Sequence, residues 1–351
     1  MTGNPELIAA IRREIAVAGG RITFCRYMEL ALYHPEFGYY CSREPARGEP
    51  STPNASRLAA TERPRIGKNG DYFTSVSVGP LFGQILARQF RAWGVEEVTE
   101  FGGHRGQLRA DVLAAAPELR YRVVEVGEEL PATINGVVFS NEFLDALPVH
   151  RVQVVNGEWQ EIYVGQASSL STPQEGKLEA GPTITGPLSD PRLADVLREL
   201  PVNLMTGYTT EINLRALDWL TDVARRLKRG YLLTIDYGFA RPEYFAPHHA
   251  DGHLQCYCRH AKNTDPYQRI GEQDITAHVE FSSLMELGEQ LGLETVRFTD
   301  QAHYLLEAGA AEIAAIVQRD AGKFSPERNA IHQLLHSTMG QSFKVLIQRR
   351  P

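Results

Sequence analysis

Cysteine is scarce: the 351 residues hold four, Cys25, Cys41, Cys256 and Cys258. A chain this long builds a core without disulfide staples, and so few thiols fit a reducing compartment. An excess of positive charge is also missing. Lys and Arg number 36 against 43 Asp and Glu, a net charge of -7, which argues against a nucleic-acid binder held by bulk electrostatics and leaves open only a local basic patch. No apolar run approaches the roughly 18 residues of a membrane span. Residues 1–20 lack a continuous apolar stretch and carry Glu6 and Glu14, so neither a secretory signal nor a transit peptide is read there, and a cytoplasmic location is expected. No internal repeat is visible, and the dinucleotide spacing G-x-G-x-x-G is absent. What remains is ordinary globular composition, 43% hydrophobic and 23% charged, which rules out wholesale disorder.

The first third of the chain reads as helical. Leu7, Ile8, Ile11, Ile15 and Ala18 recur at helical spacing over 6–18, and a second helix is expected at 23–33 with Thr23 as N-cap. Residues 43–65 show no periodicity and read as a mobile surface loop; 80–93 read as a helix with Pro80 in its first turn. From residue 96 the pattern becomes strand, glycine, helix, strand. Strands are expected at 98–101, 121–126, 137–141, 231–236 and 342–348. A hairpin is expected over 149–164 around Asn156-Gly157. Residues 165–192 read as irregular, and helices are expected at 108–116, 211–228, 281–291, 303–319 and 326–338. This predicts a helical N-terminal region, 1–95, and an α/β domain, 96–351, with an insertion at 149–200. In such a sheet ligands sit beyond the carboxyl ends of the strands.

Four segments carry candidate chemistry. Glu100-Phe101-Gly102-Gly103-His104-Arg105-Gly106 runs from a strand through a glycine turn into a helix, where backbone can approach a ligand and N–H groups are open. Glu125 ends the next strand, where an acid can bind both hydroxyls of a ribose. Asn141-Glu142-Phe143-Leu144-Asp145 gathers an amide and two acids at a strand end; helix capping by Asn141 and Asp145 is the plainer alternative. His248, His249, His253, Cys256, Cys258 and His260 invite zinc, but the spacing is wrong for structural sites. That tract reads as a polar loop with partly buried thiols, and no metal is expected.

Taken together the segments are similar to the MidA-like proteins, relatives of the mitochondrial complex I assembly factor. The resemblance rests on Ala31-Leu32-Tyr33-His34-Pro35 with Gly38-Tyr39-Tyr40, on Gly70-Asp71-Tyr72-Phe73-Thr74-Ser75 with Phe82-Gly83, and on Ser140 to Arg151. It continues through Leu233 to Gly238, Gly271 to Val279, and Met339-Gly340 with Phe343 to Leu346; Cys256-Tyr257 and His260 also fit. It implies a Rossmann-like class I methyltransferase sheet and a protein arginine methyltransferase dependent on S-adenosyl-L-methionine (SAM). In that reading Glu100, Gly102, His104, Gly106, Glu125 and Asn141 hold SAM. Glu142 and Asp145 grip the guanidinium of a protein substrate, a respiratory-complex subunit in the mitochondrial case, and His278 is a candidate proton acceptor.

Three departures from the family pattern stand out. His104 replaces the middle glycine of E-x-G-x-G-x-G, and Val76 to Gly79 replace the tail of a T-S-P-E-I-S segment. Only residues 127–136 join Glu125's strand to the next, at most about 33–36 Å of chain, too short for a crossover helix. A truncated sheet edge and a more open adenine site are therefore expected. The alternative from another class is a degenerate, non-catalytic member acting as a protein-binding or assembly factor; an NAD-dependent oxidoreductase ranks third. The sequence names neither the substrate protein nor the oligomeric state.

Overall fold

The computed structural model describes residues 3–41, 74–103, 106–165, 183–200, 205–336 and 338–351. The expected loop at 43–65, His104 and much of 165–192 lie outside them. The chain forms two compact units: Met1–Phe73 with Pro148–Ile212 and Pro247–Ala277, and Thr74–Leu147 with Asn213–Ala246 and His278–Pro351.

The second unit is built on a seven-stranded mixed sheet. In chain order its strands are β1 (Glu97–Phe101), β2 (Arg120–Val124), β3 (Ile134–Asn141), β4 (Leu227–Phe239), β5 (Val279–Glu280), β6 (Glu294–Asp300) and β7 (Phe343–Arg350). Their order across the sheet is β6-β7-β4-β3-β1-β2, with β5 continuing the parallel pairing on the end of β4. β2, β1, β3 and β4 run parallel; β7 pairs antiparallel with both β4 and β6. Val137, Val138, Phe139, Leu232, Leu233 and Ile235 are buried, the near-continuous apolar pattern of strands covered on both faces. The helix Leu81–Ala92 packs Phe82, Ile85, Leu86 and Phe90 into one core cluster, each side chain worth about 1.5–3 kcal/mol of burial. β2 is the outer strand, and residues 125–133 reach β3 without a helix.

The first unit opens with the helix Pro5–Val17. Asn4 caps it by accepting from the Glu6 and Leu7 N–H groups, and Leu7, Ile8, Ile11 and Ile15 form its buried stripe. Thr23 caps the helix Phe24–Tyr33 through the Arg26 N–H, as its position predicts. The strands His150–Val155 and Glu158–Gly165 form the expected hairpin, with Asn156 at φ 52° and Gly157 at φ 84°. They lie in a five-stranded sheet. Within it His150 Nδ1 meets Glu161 Oε1 at 2.8 Å, and Glu161 Oε2 accepts the Ser189 N–H. Burial pulls the His150 imidazole down, but Cys25 and Glu161 outweigh it and hold it up at about 9.

Several elements differ from the sequence reading. Residues 209–212 are a strand, and the helix begins only at Leu214 behind the cap Asn213. The reason is Glu211: it is buried against Arg151 at 2.9 Å across the strand pair, so a core position reads as a polar one. The strand Ile184–Gly186 lies in the stretch read as irregular, and the helix Pro191–Arg198, which begins at its end, was not expected. β6 was not expected, and the helix expected over 303–319 divides at Gly309, where a Cβ would stand 2.5 Å from Ile85. The histidine–cysteine tract is not a polar loop throughout. Leu254–Cys258 is the central strand of a three-stranded sheet, Cys256 is fully buried, and burial pushes its thiol well up.

Candidate active site

β1 delivers Glu100 and Phe101 to the glycine turn. Glu100 is 3% exposed, and its Oε2 is buried with no hydrogen-bond partner. The Gly103 backbone passes directly against this carboxylate: a Cβ on Gly103 would stand 2.8 Å from Oε2. Burial, with Glu125 adding repulsion, pushes the Glu100 carboxyl up to about 7. Gly102 sits at φ 66° and Gly106 at φ 70°, backbone states that disfavour any side chain. Gly106 is the N-cap of the helix Gln107–Ala115 and supplies no side-chain acceptor, so the first-turn N–H groups are left for an anion. Glu125 follows β2 and is half-buried, in a turn closed by its own N–H on Glu128 Oε2 at 3.0 Å.

The acid loop leaves the end of β3. Asn141 is the last strand residue, and Glu142 adopts φ 53°, a left-handed conformation unusual for a side chain of its size. Glu142 Oε1 accepts from Asn141 Nδ2 at 3.0 Å and from the Ser75 N–H at 3.3 Å. The next three N–H groups, of Phe143, Leu144 and Asp145, all donate to Asp236 Oδ2 at 2.8–3.3 Å. Asp236 ends the buried part of β4 and accepts a fourth bond from the Tyr237 N–H. Burial pushes its carboxyl up to about 7 while the four N–H donors pull it back. No helix starts at 141–147, so the loop is a braced turn and Asn141 and Asp145 cap nothing.

Loop and turn touch. A Cβ on Gly102 would lie 2.9 Å from the Phe143 ring, which also packs on Phe101 and Trp219. Glu100, Gly102, Gly106, Glu125, Asn141, Glu142 and Asp145 therefore sit at the carboxyl ends of three adjacent parallel strands. His278 precedes β5 and stacks near Tyr237 at 15° between ring planes, at the carboxyl end of β4. The sequence reading missed the bracing contacts of Asp236 and Ser75 and the hydrogen bond from the Ser75 hydroxyl to buried Gln301 Oε1. Asp236 and Ser75 stood in quoted motifs without a role, and Gln301 carried no signal.

A family described as "Putative S-adenosyl-L-methionine-dependent methyltransferase" matches residues 118–299. The chain belongs to this family. A COG1565 superfamily member from Burkholderia thailandensis, crystallised with S-adenosyl-homocysteine, is 32% identical, with a TM-score of 0.82 over 100% of this chain and 95% of that one. A Drosophila melanogaster protein named "Protein arginine methyltransferase NDUFAF7 homolog, mitochondrial" is 26% identical over 83% of this chain and 72% of its own length. The human protein arginine methyltransferase NDUFAF7 is 23% identical over 77% of this chain and 66% of its own length.

Membership fixes the fold as class I methyltransferase-like and the cofactor as SAM. The residues fit that cofactor. The orphaned Glu100 oxygen under Gly103 offers an acceptor, and the uncapped start of the helix Gln107–Ala115 offers N–H donors to a carboxylate. No helix of the described residues is long and apolar enough to cross a membrane.

Proposed function

We propose that this protein methylates an arginine side chain of a partner protein, with Glu142 and Asp145 orienting the guanidinium. When bound, SAM supplies an electrophilic methyl carbon on a sulfonium. The protein's share is alignment, since a guanidinium is a poor nucleophile with a delocalised charge. Two carboxylates gripping it would fix its plane and localise positive charge on the nitrogens they hold, leaving the remaining nitrogen free to attack the methyl carbon. Glu100, Gly102, His104, Gly106, Glu125 and Asn141 hold the cofactor in this reading, and His278 takes up the released proton. A respiratory-complex subunit is the substrate class to test first.

The observation that carries the proposal is the contact between Gly102 and Phe143, which seats the acid loop against the glycine turn. The relatives named protein arginine methyltransferases support it further. The second reading, a non-catalytic binding protein, is favoured by the helix-free link after β2. The test is transfer of labelled methyl from SAM into protein of a lysate lacking this enzyme, with S-adenosyl-homocysteine calorimetry alongside. Glu142→Gln should cut labelling at least tenfold, the equivalent of about 1.4 kcal/mol, and leave cofactor affinity intact. Equal labelling by Glu142→Gln rejects its role. Binding without labelling by the natural protein favours the second reading.

A further inference from the structure

Gln301 Nε2 and Asn141 Oδ1 are among the buried polar atoms of the described residues that have no hydrogen-bond partner. Both belong to one hydrogen-bonded chain. Gln301 is completely buried, and its Oε1 accepts from the Ser75 hydroxyl at 3.0 Å. Ser75, also completely buried, donates its N–H to Glu142 Oε1, which is shared with Asn141 Nδ2. The links are far apart in sequence: 226 residues separate Gln301 from Ser75, and 67 separate Ser75 from Glu142. A glutamine at the first position of the helix Gln301–Ala308 is not needed there as a cap, because Asp300 already caps it through the His303 N–H. Burying a polar side chain with one group unsatisfied costs stability that an apolar residue of similar volume would spare. Glu142 itself stands at φ 53°, a conformation its surroundings must enforce.

We propose that Gln301 is a positioning residue for methyl transfer: acting through the Ser75 hydroxyl, it fixes the Ser75 N–H that holds the Glu142 carboxylate toward the acceptor. The assignment rests on the methyl-transfer reading above. Gln301 does not touch the acceptor in this scheme. It sets the orientation of the group that does.

The test joins a structural readout to a kinetic one. Gln301→Met keeps the volume and removes the acceptor. It should speed amide hydrogen exchange at Ser75 at least tenfold, leave exchange at Tyr304 and Leu305 unchanged, and lower kcat at least tenfold with KM for SAM unaltered. Ser75→Ala keeps the N–H but removes the hydroxyl; it should cost the same, and the double variant should fall no further. Gln301→Glu, which keeps an acceptor oxygen at the same reach, should restore most of kcat. Unchanged Ser75 exchange in Gln301→Met overturns the proposal, as does faster exchange with kcat intact, or additive losses in the double variant. General acceleration of exchange along the helix Gln301–Ala308 also overturns it, because the role is then structural. If the natural protein labels no substrate, the methyl-transfer reading fails by itself. The exchange comparison still decides whether Gln301 holds Glu142.

Discussion

Glu100→Gln separates what burial costs from what the cofactor site requires. The carboxyl is 3% exposed and is pushed up to about 7 from the ordinary 4.5. Between those two values the folded protein holds a proton that the unfolded chain has released, so stability falls as pH rises through the window. Two and a half units correspond to about 3 kcal/mol. Linkage puts the penalty at about 1 kcal/mol at pH 5 and about 3 kcal/mol at pH 8.5. Glutamine has nearly the same shape and no charge to desolvate. The variant should therefore melt higher than the natural protein at pH 8.5, by roughly 4 °C for a chain of this size, and the gain should shrink toward pH 5. S-adenosyl-homocysteine affinity, measured by calorimetry at pH 8, should fall at least tenfold. A residue kept at a cost to stability is one that a site needs. Parallel melting curves for the two proteins from pH 5 to 8.5 would refute the burial argument. A stabilised Glu100→Gln that binds the cofactor as well as the natural protein would refute the cofactor role.

Gly102→Val should lose cofactor binding and about 2–3 kcal/mol of stability together, since φ 66° and the Phe143 ring both oppose a side chain; a variant with unchanged melting would contradict this geometry. Asp236→Asn replaces one acceptor oxygen with an N–H donor facing backbone donors. It should cost about 3–5 kcal/mol and raise amide exchange at Phe143, Leu144 and Asp145, whereas protection at all three would mean the loop holds itself. His150→Gln should destabilise by about 2 kcal/mol below pH 6.5. The raised imidazole contributes fully there, and the difference from the natural protein should vanish as pH rises through about 9; a constant difference in urea midpoints across that range would exclude the Glu161 pairing as its cause.

The parts of the structure legible in advance are those whose cause is local. Thr23 precedes a helical stripe, Asn156-Gly157 demands a tight turn, and the glycines after a strand announce a turn into a helix; each is decided within a few residues. The placement of the candidate residues at the carboxyl ends of strands was readable for the same reason, because strand ends and acids lie side by side in the sequence. The bracing of the acid loop was not. Asp236 meets the loop 91–93 residues away through backbone N–H groups, which carry no residue identity. Gln301 is legible only once β6 and the helix after it are placed. Glu211 misled in the opposite direction: a carboxylate in the core takes its sense from Arg151, and the residue type alone points outward.

The outer position of β2 bears on how the protein would meet copies of itself. β2 is the outer strand of its sheet, a rim whose backbone groups could template another chain. That rim carries exposed Arg120 and Arg122, Arg120 paired with Glu96 and Glu97 at 3.2 and 2.9 Å, with buried Val124 closing the strand toward the site. Two such rims brought together antiparallel about Arg122 would set that guanidinium against its copy, a cross-strand arrangement that repels. The margin of the sheet thus carries charge, and its resistance to accretion should weaken as salt rises and screens those guanidinium groups.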